Sequence, residues 1–153
     1  MTAKPRVLII EARYYTDVAD NLLAGAIRAL EGAAAVFETI TVPGALELPA
    51  ALSMALGEAA GQTTAGGFDG YVLLGCVIRG ETSHYDVVVN QSARGTMDLV
   101  VRHRLALGFG ILTVENKEQA IVRSRVDNLD KGGEAARAAL MLIDTRRRLQ
   151  AAR

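Results

Sequence analysis

An α/β fold follows from two features of the sequence. Short, branched apolar runs of strand length alternate with longer amphipathic stretches of helical length, and no repeat, linker or low-complexity segment interrupts the alternation. In order, the pattern reads β-α-β-α-β-α-β-α-α. It predicts a four-stranded parallel sheet with helices on both faces, a three-layer α/β/α sandwich folded as one domain over 1–153. At about 150 residues, folding buries roughly 70% of the chain's surface, so a core forms without disulfide or metal staples.

The first strand is expected at Val7-Leu8-Ile9-Ile10, a branched run suited to burial on both faces. Thr16 can cap the helix that follows, whose apolar positions Val18, Leu22, Ala26, Ile27 and Leu30 recur at helical spacing, with Gly32 as the stop. Val36 to Val42 alternates apolar and polar residues and reads as a second strand, broken by Pro43-Gly44. Pro49 suits the first turn of the next helix, which lacks a use for its missing N–H. That helix is expected to reach about Ala60 and is apolar nearly all round, through Ala50, Ala51, Leu52, Met54, Ala55, Leu56 and Ala59. A Gly/Thr-rich loop from Gly61 to Gly70 leads to the most hydrophobic segment, Tyr71 to Ile78, the central strand. A helix from about His84 to Leu105, a fourth strand from Phe109 to Val114, and two closing helices, Glu118 to Arg125 and Gly133 to Leu149, complete the order.

Composition narrows the function. Lys and Arg number 17 against 17 Asp and Glu, so the chain lacks the basic surplus of a general nucleic-acid or anionic-membrane binder. One cysteine excludes an internal disulfide framework and a thiolate zinc cluster. The early run Val7–Ile10 is too short for a signal peptide or membrane span, so a cytoplasmic protein is expected. Half the residues are hydrophobic at zero net charge, a sticky surface for a monomer.

In open α/β sheets ligands bind beyond the carboxyl ends of the strands. The segments just after the four strands run over 11–15, 43–47, 79–84 and 115–117, and they gather Tyr14, Tyr15, Glu47, Arg79 and His84, one of only two histidines, at one rim. Gly80-Glu81-Thr82-Ser83 leads straight into a helix, where backbone N–H groups and hydroxyls can hold an oxyanion, or simply cap the helix. His84, beside that turn, could exchange protons near neutral pH, or be structural. Glu47 could bind a ligand or complement its helix dipole. Tyr14 could be a stacking platform or rim packing. Cys76 reads as a buried, inert thiol. His103, between Arg102 and Arg104, reads as solvated, and Arg146-Arg147-Arg148 as favouring a helix C-terminus. Asp127 to Gly133 lacks the spacing of a calcium loop.

Four ordered blocks carry a family resemblance: Val42-Pro43-Gly44-Ala45-Leu46-Glu47-Leu48-Pro49; Gly75 to Tyr85 (GCVIRGETSHY); Phe109 to Asn116 with Glu118-Gln119-Ala120; and Lys131-Gly132-Gly133-Glu134-Ala135. Together they resemble the lumazine synthase family over nearly the whole chain. The resemblance implies a flavodoxin-like fold and an enzyme that condenses 5-amino-6-ribitylaminouracil with 3,4-dihydroxy-2-butanone 4-phosphate to 6,7-dimethyl-8-ribityllumazine, phosphate and water, the penultimate step of riboflavin biosynthesis. It implies no metal and no cofactor. By motif position, Tyr14 would stack on the pyrimidine, Ala45, Leu46 and Glu47 would hold the ribityl chain, and Val77 and Ile78 would offer backbone contacts to the pyrimidine. Glu81 and Thr82 would cradle the phosphate by backbone, with Arg123 as its basic partner, and His84 would transfer protons. Phe109, Arg123 and Lys131 match positions supplied by a neighbouring subunit. The family commonly has Asn where Asp130 stands, and a carboxylate there is expected to pair with Lys131.

The resemblance also implies a homopentamer. The stretch between Gln119 and Lys131 lacks the short insertion of some pentamer-only members, which permits an icosahedral assembly. Two other classes compete with the synthase: a non-catalytic flavin- or lumazine-binding relative, for which His84 and Arg123 would be superfluous, and a redox or signalling domain of the same fold. The latter should carry a Ser/Thr-rich phosphate loop or a phosphorylatable acidic cluster after the first strand, and Glu11-Ala12-Arg13-Tyr14-Tyr15 is neither.

Overall fold

The computed structural model describes residues 3–57 and 67–153. Its elements are β1 (Arg6–Ala12), α1 (Thr16–Gly32), β2 (Val36–Val42), α2 (Glu47–Leu56), β3 (Gly70–Ile78), α3 (His84–His103), β4 (Leu107–Val114), α4 (Lys117–Ser124) and α5 (Lys131–Ala151). All four strands are parallel, in the order β2-β1-β3-β4. This is the flavodoxin order without its fifth strand. The chain moves outward from β1 to β2 and then returns to the other side of β1 for β3. A crevice therefore opens at the carboxyl ends of β1 and β3, where the connections diverge.

Alternation along the strands divides the core into two layers. On one face Val7, Ile9, Val72 and Leu74 pack with Val18, Leu22, Ala26 and Leu30 of α1, Ala120 of α4, and Ala135, Ala136, Ala139 and Ile143 of α5. On the other, Leu8, Ile10, Leu73 and Ile111 meet Leu48, Leu52 and Leu56 of α2 and Val88 of α3. Three layers result, as the element order predicts. Among the described residues, no helix is long and apolar enough to cross a membrane.

Boundaries differ from expectation where polar residues or glycines join an element. β1 extends past the apolar run to Ala12, because Glu11 continues the ladder opposite Thr41 and Leu74. β4 begins at Leu107, in register with Tyr71. Arg104 adopts a left-handed conformation (φ 54°) and ends α3 short of Leu105. Gly57, at φ 55°, ends α2. The expected continuation to Ala60, and most of the expected loop, residues 61–66, lie outside the described residues. α5 starts at Lys131 rather than Gly133, with Gly132 and Gly133 buried in its first turn. A Cβ on Gly132 would lie 2.1 Å from the carbonyl oxygen of Leu22, so glycine here is what lets α5 cross α1 closely. His103 is half-buried rather than solvated. Arg146 does more than complement a dipole: its guanidinium donates to the carbonyls of Arg104 (3.3 Å) and Asp69, tying α5 to the entry of β3.

Candidate active site

The crevice at the β1/β3 divergence is a cleft of about 300 Å³ lined by Tyr14 and Tyr15 after β1, Pro43 to Glu47 after β2, Cys76 and Val77 at the end of β3, and His84 and Val88 on α3. Each wall has a local cause. The residues after β2 form tight turns, with the N–H of Glu47 donating to the carbonyl of Gly44 (3.2 Å) and that of Leu48 to Ala45 (3.2 Å). This turn starts α2 with Pro49 inside its first turn, as expected. Glu47 is thus the first residue of α2 and lines the cleft with Ala45 and Leu46. His84 is the first residue of α3 and exposed, and its backbone N–H donates to Thr82 Oγ1 (3.3 Å). The amino end of a 20-residue helix therefore opens beside the cleft. Such an end, with its outward N–H groups and dipole, accommodates an anion.

Tyr14 stands largely in solvent, 73% exposed. Its ring meets that of Tyr15 edge-on, with centroids 5.0 Å apart and planes at 71°. Tyr15 is fixed from behind by Lys117, whose ammonium lies 5.2 Å from its ring centroid and 2.7 Å from Asp17. Burial raises the Tyr15 phenol. It also raises the Cys76 thiol to about 11, so the thiol contributes an inert, protonated surface. Arg79, at the same rim, is fully engaged: it hydrogen-bonds Glu115 (2.9 Å), faces Asp86 (3.6 Å) and lies over the Tyr85 ring (4.2 Å).

Of the residues singled out in the sequence, Tyr14, Ala45, Leu46, Glu47, Val77 and His84 share this cleft. Ile78 ends β3 next to it, and Glu81 and Thr82 lie exposed in the turn before α3. Phe109, Arg123 and Lys131 do not reach it. They line a second pocket of about 310 Å³ along the β4 edge, with Thr113, Glu134 and Ala138 among its other walls. There Arg123 donates to the carbonyl of Gln119 (3.1 Å), and Phe109 is 40% exposed. Lys131 pairs with Glu134 (2.9 Å) and not with Asp130. The reason is backbone geometry: Asp130 has φ 46°, and its carboxylate turns back to accept from the N–H of Gly133 (3.1 Å) and to face Arg137 (3.5 Å). Asn and Asp are the side-chain-bearing residues that best tolerate a left-handed backbone and cap a helix, so both suit this position. Tyr15, Cys76 and Val88 are cleft residues that carried no ligand assignment. Val88 was findable, since it lies one helical turn from His84.

The sequence profile of the 6,7-dimethyl-8-ribityllumazine synthase family matches residues 4–147. The chain is 56% identical over 147 residues to 6,7-dimethyl-8-ribityllumazine synthase of Agrobacterium fabrum, covering 96% of this chain and 98% of that protein. It is 57% identical over 147 residues to 6,7-dimethyl-8-ribityllumazine synthase 1 of Rhizobium meliloti, covering 95% and 94% of the two chains. To the Bartonella tribocorum protein of the same name it is 54% identical over 148 residues, covering 97% and 94%.

Proposed function

This chain belongs to the 6,7-dimethyl-8-ribityllumazine synthase family, and from that membership we propose that its cleft is one half of a synthase site whose other half is the β4-edge pocket of a neighbouring copy. The chain is an enzyme of riboflavin biosynthesis. It condenses 5-amino-6-ribitylaminouracil with 3,4-dihydroxy-2-butanone 4-phosphate, releasing phosphate and water.

In this reading the Tyr14 ring stacks on the pyrimidine, whose edge meets the backbone of Val77 and Ile78. The ribityl chain runs along Ala45, Leu46 and Glu47. The phosphate sits at the amino end of α3, against the backbone of Glu81 and Thr82, with a neighbour's Arg123 as its counter-charge. His84, beside both substrates, moves the protons that carbonyl addition and dehydration require. A neighbour's Phe109 and Lys131 close the pyrimidine side. Most of the acceleration comes from holding amine and carbonyl in reactive geometry, since the chemistry needs little beyond proximity and proton transfer.

One observation carries the shared site: Phe109, Arg123 and Lys131 gather in a pocket that has no lining residue in common with the cleft holding Tyr14, Glu47 and His84. Within one chain these are two incomplete sites. Apolar exposure supports the same reading, because Met54 of α2 is 80% exposed and Val101 of α3 is 74% exposed. Burial of such side chains against a second copy accounts for a half-apolar composition at zero net charge. The reading extends to a homopentamer, to an icosahedral assembly built from it, and to a cytoplasmic location where a charged phosphate substrate is retained. Two measurements test it. Mixing the purified protein with both substrates should yield the fluorescent lumazine, and light scattering should return a mass of at least five chains. A monomer of full activity would overturn the shared site.

A further inference from the structure

Glu11 is 3% exposed, the only buried carboxylate among the described residues, and no step of the synthase chemistry uses it. A carboxylate in the core is costly unless fully hydrogen-bonded. This one is satisfied by the residue that follows its strand and by a second strand. Arg13 Nη1 donates to both its oxygens (3.0 and 2.9 Å), and Thr41 Oγ1 of β2 donates to Oε1 (3.1 Å). The other arm of Arg13, Nη2, reaches Asp20 in the second turn of α1, and the Arg13 backbone N–H donates to the carbonyl of Val42 (3.3 Å). The guanidinium therefore straddles the turn between β1 and α1, fastened to the strand behind it and to the helix ahead. Tyr14 is the middle residue of that turn. Its exposed ring makes an edge-on contact with Tyr15, so packing alone does little to fix where it points.

We propose that Glu11, Arg13 and Thr41 form a clamp that positions Tyr14 over the cleft, making Glu11 a positioning residue for pyrimidine binding. The proposal rests on the reading of Tyr14 as the stacking platform. A strand–helix turn held only by its backbone lets a solvated aromatic ring sample many orientations, and each binding event must then select the productive one. A clamped turn presents the ring pre-oriented, which appears as affinity for the pyrimidine and for the lumazine product. The second substrate, held at the far end of the cleft, should not sense it.

The test uses a reporter at the site. The chain has no tryptophan, so Tyr14→Trp gives one indole emitter per subunit in the assembled enzyme. In that background Glu11→Gln should increase fast local motion of the introduced indole in time-resolved anisotropy. It should also raise KM for the pyrimidine about three- to tenfold, the scale of one ordinary hydrogen bond, while kcat and KM for the butanone phosphate stay near the parent values. Two further variants keep the test open should burial of Glu11 prevent Glu11→Gln from folding. Thr41→Val and Asp20→Ala each remove one outer arm of the clamp and should show the same changes in smaller degree. A merely structural network would lower the melting temperature without this split between substrates. Unchanged indole motion in the folded variants overturns the clamp. Quenching of the indole by added lumazine in the parent reports stacking directly. Its absence overturns the stacking reading, and with it the clamp's role in binding, whatever the anisotropy shows.

Discussion

Gly108 of β4 is buried under the first turns of α5, and a Cβ placed there would lie 1.8 Å from the carbonyl oxygen of Ala135 and 2.6 Å from its carbonyl carbon. Both atoms are backbone, so no side-chain rotation relieves the clash. To accept alanine, the separation must open from 1.8 Å to at least the 3.4 Å of ordinary contact. That shift would pull α5 off a sheet face where Ala135, Ala136 and Ala139 are almost fully buried. The cost of such overpacking lies at or above the upper end of the usual range, about 3 kcal/mol. For a chain of this size that lowers the melting temperature by roughly 6–12 °C. Activity should fall as well, because Phe109 adjoins the clash and Lys131 opens the helix that must move. Gly32 is the matched control: a Cβ there meets nothing within 4 Å, and Gly32→Ala at the end of α1 should be neutral or stabilise by up to ~1 kcal/mol. Equilibrium unfolding and steady-state kinetics on both variants decide the matter. A Gly108→Ala protein as stable as the parent would refute the close approach of α5 to β4.

Other outcomes follow from the same geometry. His84→Ala should lower kcat by about 10²-fold or more without abolishing turnover, since general acid–base help typically contributes ~10²–10⁴-fold on top of proximity; unchanged kcat at saturating substrates would remove His84 from proton transfer. Arg123→Ala should raise KM for the butanone phosphate about tenfold or more through loss of a charged phosphate contact, and an unaltered KM would sink that assignment. Asp130→Ala should cost about 1–2 kcal/mol through the lost cap, whereas Asp130→Asn should be nearly neutral in denaturant unfolding. Cys76 should react slowly with a thiol reagent at pH 8 in the native protein and rapidly in denaturant. Because burial lifts its thiol from 9.0 to about 11, the unfolded chain ionises first, so this group should destabilise the fold as pH rises through that interval.

The order of elements was legible because strand and helix periodicities alternate cleanly, and parallel topology then follows from connection lengths. Sheet order adds what periodicity lacks: it selects the loops after β1, β2 and β3 as the ones that meet at the cleft. Boundaries failed where a residue's local preference was overruled by what it touches. Gly132 falls outside the expected helix, which starts at Gly133, yet it is the residue whose lack of a side chain lets α5 approach the Leu22 carbonyl of α1. Glu11 fell outside the apolar run because its network, through Arg13, Thr41 and Asp20, draws on three different segments that become neighbours only on folding. The expected Asp130–Lys131 pair assumed ordinary backbone, and a positive φ directs the carboxylate elsewhere. The motif blocks identify the candidate site residues, and the resemblance already implies that Phe109, Arg123 and Lys131 serve a neighbouring subunit. What only the structure adds is the division within one chain, with these three in a β4-edge pocket apart from the cleft.

Subunit mixing tests that division most directly. His84→Ala and Arg123→Ala proteins, unfolded together and reassembled at equal ratio, are assayed below KM for the butanone phosphate. If each site joins the cleft of one copy to the β4-edge pocket of the next, roughly a quarter of the sites in a randomly mixed cyclic assembly regain both residues. Activity should rise well above the mean of the two parents, towards that fraction of the unmutated enzyme. Activity equal to the parental mean would mean that each chain completes its own site, and would contradict the account.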